Sequence, residues 1–266
     1  MAGTLRLYGR GAIIVGADCI GCGIALALAQ AGAATVVLDG DADVAAQAGE
    51  SLRQSGLQCR VAHYARDDER LLIAAFQDSV SHLSSLQILV TNLLPEGNPT
   101  LLKDLLPDDV LRSLAAVAQC TQVMQAALPW LRSHGSGRII NVGNRYGDGI
   151  NEGLGAYNAA AWGLWGLTRT AAVEWGQYGI TSNLLMPLAA TPQLHEAQQA
   201  RPQLMSVLLG QLPLRRAGDP VADIGGAAVF LASDEAAYVN GETLYADGGQ
   251  HIAGPIFNPA KFTLRS

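Results

Sequence analysis

The feature that most constrains this chain is a regular exchange between short apolar runs and longer helical stretches. From residue 11 the segments GAIIVG, IALALAQAG, ATVVLD and ADVAAQAGESLRQ follow one another as strand, helix, strand and helix. Further strand candidates are QCRVAHY, LQILVTN, GRIINVG, ITSNLLM and GETLYAD, separated by helical stretches such as ERLLIAAFQDSVSHL and VLRSLAAVAQCTQVMQAALPWL. Strands that alternate with helices pair in parallel, because each crossover helix must return the chain to the same end of the sheet. The expected fold class is therefore α/β, a single doubly wound parallel sheet with helices on both faces. No repeat or linker interrupts the order, so residues 1–266 are read as one domain, with an irregular lid at about 191–213 and an irregular tail at about 250–266.

Composition narrows the function classes. Hydrophobic residues make up 49% of the chain and charged residues 15%, which excludes disorder and points to surface covered by self-association or by a partner. A net charge of −6 with no Lys/Arg cluster leaves nothing to grip a phosphate backbone or an anionic membrane, so neither nucleic acid nor membrane is expected. The first 35 residues are broken by Arg6, Arg10, Asp18 and several glycines, reading as neither a signal peptide nor a span, and the expected location is the cytoplasm. Cys19, Cys22, Cys59 and Cys120 are too scattered for a disulfide framework. Cys19 and Cys22 form a CxxC without a second ligand pair, and His63, His82, His134, His195 and His251 show no ligand spacing, so no metal is expected.

GRIINVG, the stretch AYNAAAWGLWGLTRTAAVEWGQYGITSN, and VNGETLYADGG resemble segments of the short-chain dehydrogenase/reductase family in order and spacing, from about residue 11 to Gly249. The resemblance implies a Rossmann-like fold and a nicotinamide dinucleotide at the ends of the strands. In the family the first turn reads Thr-Gly-x-x-x-Gly-x-Gly, and its glycines let the backbone approach a pyrophosphate. Here it runs from Val15 through Gly16, Ala17, Asp18, Cys19 and Ile20 to Gly21, one residue short, with Val15 in place of Thr. Asp18 puts a carboxylate where two phosphates would sit; its structural alternative is a helix N-cap. Asp39 stands where an acidic residue would hold the adenosine ribose and favour NAD. Tyr64 replaces an Asp beside the adenine, and Thr91-Asn92-Leu93-Leu94 replaces Asn-Asn-Ala-Gly with two bulky residues. Gly16, Gly21, Asp39 and Asn92 are thus remnants of a cofactor site, and no dinucleotide is expected to bind.

The resemblance implies a catalytic Asn, Ser, Tyr and Lys, of which only Tyr157 remains. The Lys position is Ala161, the Ser position Asn144, and the Asn position Ala116. A phenol titrates near pH 10, so roughly 0.1% would be ionised at neutral pH without a cation beside it. The two lysines, Lys103 and Lys261, lie off the Tyr157 helix. Arg145 is the nearest basic candidate, to bind and polarise or to form a surface ion pair. Trp162 and Trp165 either fill the space left by lysine and cofactor or pack at a subunit contact.

Two functions are weighed. The first is a catalytically inactive subunit in a hetero-oligomer, a tetramer, with an intact short-chain dehydrogenase paralogue that binds NAD and oxidises a hydroxyacyl-CoA-like substrate. This reading rests on a resemblance to the inactive subunits of heteromeric short-chain dehydrogenases and on charge-poor fourth and fifth helices suited to a buried bundle. The alternative is a stand-alone enzyme, either a weak NAD-dependent oxidoreductase or a cofactor-free lyase or isomerase using Tyr157, Asn144 and Arg145.

Overall fold

The computed structural model describes residues 5–57, 59–65, 69–93, 95, 99–143 and 152–253. Among these, seven strands form one parallel sheet: β1 (Gly11–Val15), β2 (Ala34–Asp39), β3 (Cys59–His63), β4 (Ile88–Thr91), β5 (Arg138–Val142), β6 (Thr181–Pro187) and β7 (Thr243–Ala246), in the order β3-β2-β1-β4-β5-β6-β7. β1, β4 and β5 are buried at every residue, as strands covered on both faces must be, and their polar members Thr91, Arg138 and Asn141 are buried with them.

Side chains alternate between two cores with the period of an extended chain. On one side Ile14, Val37, Val90, Ile140 and Leu185 meet Ile24 and Leu28 of α1 (Cys19–Gln30) and Ala228 and Leu231 of α8 (Gly226–Ala232). On the other, Ile13, Val36, Leu89 and Ile139 meet Phe76 of α3 (Glu69–Ser81), Val123 and Leu131 of α4 (Pro107–Ser133), and Ala171 of α5 (Gly155–Trp175). Each fully buried Ile, Leu or Phe stabilises the fold by about 1.5–3 kcal/mol, so a one-residue slip of any strand would exchange both cores and is excluded.

β1 leads to β2 and β3 on one side through α1 and α2 (Ala42–Gln54), and the chain then crosses back to β4 on the other. The crossover helices leave in opposite directions there, opening a crevice at the carboxyl ends of β1, β2 and β4. The segment expected to be an irregular lid is instead two helices, α6 (Pro192–Ala200) and α7 (Pro202–Gly210). Both begin with proline, whose fixed φ suits the first helical position, and Thr191 caps α6 by accepting from the Leu194 amide at 3.3 Å. In the tail, α9 (Gln250–Ala253) forms a short turn, and 254–266 lie outside the described residues.

Candidate active site and a closed phosphate cradle

The crevice has a cavity volume of about 480 Å³, within the ordinary range for a ligand site. Its walls include Gly16, Asp18, Asp39, Tyr64, Asn92 and Leu93, with Arg112, Ala116 and Gln119 from α4. The expected crowding by bulky residues is therefore not what the fold shows: Leu93 packs partly into both neighbouring core clusters and Tyr64 is buried, leaving the space open. Leu94 lies outside the described residues.

What closes is the anion cradle. Asp18 has extended backbone and is the N-cap of α1. One of its oxygens, Oδ1, accepts from the amides of Ile20 and Gly21, each at 2.9 Å, and from Asn92 Nδ2 at 2.6 Å. The first-turn N–H groups that would meet a phosphate already meet a carboxylate. Burial pushes the Asp18 carboxyl above its usual range, against the lowering by the Gly21, Asn92 and Ile20 donors, and the nearby Asp39 charge raises it further.

The two remnant glycines have steric reasons of their own. Gly16 has φ +104°, and a Cβ there would lie 2.1 Å from the Asn92 carbonyl oxygen; a Cβ on Gly21 would lie 1.9 Å from the Gly16 carbonyl oxygen. Both allow the turn to pack against the end of β4, whatever the crevice holds. Asp39 is 7% exposed; its Oδ2 accepts from the Ala17 amide at 2.6 Å and its Oδ1 from the Asp41 amide at 2.8 Å. The guanidinium of Arg112 is ion-paired with Asp109. A dinucleotide, which the fold family implies, does not fit this donor set: its pyrophosphate would meet the Asp18 carboxylate on amides already engaged.

A second, apolar pocket adjoins the crevice and shares Leu93, Pro95 and Ala116 with it. Its cavity volume of about 20 Å³ is room for one water-sized group. Tyr157 and Ala161, one helical turn apart on α5, both line it. So the structure brings Tyr157, Ala161 and Ala116 together, as their family positions imply, while Asn144 and Arg145 lie outside the described residues. Trp162 and Trp165 line neither of these two spaces, and Trp165 packs against the cluster of Cys120, Leu164, Leu184 and Met186. Trp162 is 47% exposed, and its ring meets Trp165 edge-on at 5.6 Å, with the Arg169 guanidinium over Trp165 at 4.5 Å.

Arg112, Gln119 and Cys120 were not read from the sequence as site residues, although they sit four before, three after and four after Ala116, the spacing of one helix face. Burial pushes the Cys120 thiol up to about 11, so it is an inert wall and no nucleophile. Cys22, in the first turns of α1, is pushed up to about 12, again chiefly by burial, and all four cysteines are free. Among the described residues, no group of three or more His, Cys, Asp or Glu is placed to hold a metal ion, and no helix is long and apolar enough to cross a membrane.

A parallel sheet of this order, with a crevice at its switch point and a tyrosine on the helix after β5, defines a Rossmann-like protein of the short-chain dehydrogenase/reductase class. The chain belongs to that superfamily: the family model described as Enoyl-(Acyl carrier protein) reductase matches residues 15–251. It is 32% identical to a 12alpha-hydroxysteroid dehydrogenase of Clostridium sp. over 252 residues, covering 91% of this chain and 96% of the relative. It is likewise 32% identical to the 3-oxoacyl-(acyl-carrier-protein) reductase FabG of Staphylococcus epidermidis over 250 residues, covering 91% and 99%. Among solved structures, a gluconate 5-dehydrogenase from Burkholderia cenocepacia in complex with NADP and tartrate superposes with a TM-score of 0.80 at 29% identity, covering 93% of this chain and 97% of that one.

These similarities overturn the expectation of an inactive subunit serving a hydroxyacyl-CoA-oxidising partner. The relatives are dehydrogenases and reductases in their own right, and the likeness runs through nine-tenths of the chain.

Proposed function

We propose that this chain is an enzyme directed at a carbonyl or hydroxyl oxygen and that it works without a dinucleotide, seating the substrate body in the crevice and the oxygen against Tyr157. The observation that carries this reading is Asp18 Oδ1, which occupies the Ile20 and Gly21 amides and so replaces the phosphate. In this reading Tyr157 serves as a hydrogen-bond donor. A phenol that donates to a carbonyl oxygen stabilises the enolate charge that develops there when the neighbouring carbon gives up a proton to solvent water, and the enolate then either takes a proton back at carbon or collapses with expulsion of a β-substituent. That is lyase or isomerase chemistry. The small pocket supports the reading because it admits one oxygen and little else, leaving the larger crevice for the rest of the molecule.

One observation favours a second reading. Asp39 ends β2 on the crevice wall, where a relative would hold a ribose, and this supports a weak NAD-linked oxidoreductase like the enzymes it resembles. Calorimetric titration with NAD and NADH, together with α-hydrogen exchange of simple ketones in D₂O followed by NMR, separates the two. On the first reading neither nucleotide binds in the micromolar range, and Tyr157→Phe slows the exchange by about a hundredfold. Micromolar NAD binding with hydride transfer to a ketone would replace it by the second.

A further inference from the structure

The crevice presents acceptors where a nucleotide site presents donors. Asp18 is held rigidly by three hydrogen bonds to Oδ1, while its Oδ2 has no partner among the described residues. Beside it, Asn92 is 4% exposed and commits its Nδ2 to Asp18 and, at 3.5 Å, to the Gly16 carbonyl. The Asn92 Oδ1 is buried and accepts no hydrogen bond among the described residues. A buried acceptor without a donor is destabilising, and a donor arriving with a ligand would relieve it. Asp39 adds a second carboxylate to the same wall, and Arg112 is already engaged by Asp109. The rest of the wall carries the apolar Val44, Leu93, Pro95 and Ala116 beside Tyr64 and Gln119, and through Leu93, Pro95 and Ala116 it adjoins the Tyr157 pocket.

We propose that the crevice binds a primary ammonium group on an apolar body, seating the cation between Asp18, Asp39 and Asn92 where a relative's nucleotide would place its phosphates. An ammonium supplies three donors and no acceptor, the complement of this wall, and two carboxylates favour it over any anion. The inference rests on the dinucleotide-free reading and deepens it by naming the ligand class.

The test is a matched pair with one body and opposite charges, 2-phenylethylamine and 2-phenylethyl phosphate, titrated calorimetrically into the whole protein. The wild type is expected to bind the amine about tenfold or more tightly than the phosphate. Asp18→Ser keeps an N-cap oxygen for Ile20 and Gly21 but removes the charge, and is expected to lose about tenfold in amine affinity while gaining phosphate binding. Should that variant fail to fold, Asp39→Asn is expected to weaken the amine in the same direction. Equal or tighter binding of the phosphate by the wild type, or an amine affinity indifferent to both substitutions, overturns the proposal. Micromolar NAD binding would instead remove the dinucleotide-free reading on which it stands, whereas loss of the amine preference with no NAD binding would remove the ligand class alone.

Discussion

At the scale of single residues, Asp18 does two things that pull against each other. As an N-cap it satisfies two orphan amides of α1, and as a carboxylate it is half-buried beside another acid. Burial is the larger effect on its ionisation, and its carboxyl titrates above the ordinary 3.8. For a carboxyl raised in the folded state, the associated stability is fully present below the unfolded value and is lost as pH rises through the folded one. Asp18→Asn keeps the capping oxygen and the acceptor for Asn92 without any charge. The variant is therefore expected to melt a few degrees above the wild type at pH 7, the gap closing as the pH falls toward 3.8. Melting curves across that range check it; a variant less stable than wild type at neutral pH would mean that the charge on the helix dipole outweighs its burial.

At the scale of elements, α5 is positioned by a buried polar chain. Thr91 Oγ1 on β4 donates to Asn141 Oδ1 on β5 at 2.6 Å, Asn141 Nδ2 donates to Thr168 Oγ1 at 2.9 Å, and Thr168 Oγ1 donates to the Leu164 carbonyl at 2.7 Å. Two strands are thereby pinned to the helix that carries Tyr157. Thr168→Val keeps the shape but leaves the Asn141 amide without an acceptor, and should cost about 1–3 kcal/mol in urea unfolding with an unchanged slope. This chain of bonds was not legible in the sequence, where Asn141 is a single polar residue in an apolar strand: only the register of β4 and β5 sets it beside Thr91, and only the packing of α5 on the sheet brings Thr168 to it. The strands and the long helices were legible, because their periods of 2 and 3.6 are written in the apolar residues themselves. Pro192 and Pro202 misled, since a proline that opens a helix looks like one that breaks it. The Asp18 cap was visible as an acid directly before an apolar helix, whereas the partnerless Asn92 oxygen emerges only when β1 and β4 lie side by side.

At the scale of the whole molecule, the two ends of the sheet carry different duties. The carboxyl ends hold the crevice and Tyr157; the amino ends hold a cationic clasp far from both. Arg138, the first residue of β5, is 3% exposed and donates through Nε to the Ser233 carbonyl at 3.2 Å and through Nη1 to the Gly137 carbonyl at 3.0 Å, with Asp234 at 3.5 Å. Arg10, just before β1, reaches the Ala232 carbonyl at 2.8 Å and the same Asp234 at 2.6 Å. Together they tie β1 and β5 to the end of α8. Burial, and the neighbouring Arg10 charge, draw Arg138 below the usual guanidinium range, with Asp234 opposing. Arg138→Met retains the length of the side chain but strands the Ser233 carbonyl, a loss of about 2–3 kcal/mol, or roughly 5–10 °C in Tm for a chain of this size. Because nothing in the clasp touches the crevice walls, the variant should bind 2-phenylethylamine within about twofold of the wild type, sites so far apart being additive to a few tenths of a kcal/mol. A folded Arg138→Met protein whose amine affinity had fallen by an order of magnitude would show that the two ends are coupled through the strands, and that the crevice geometry depends on more than its own walls.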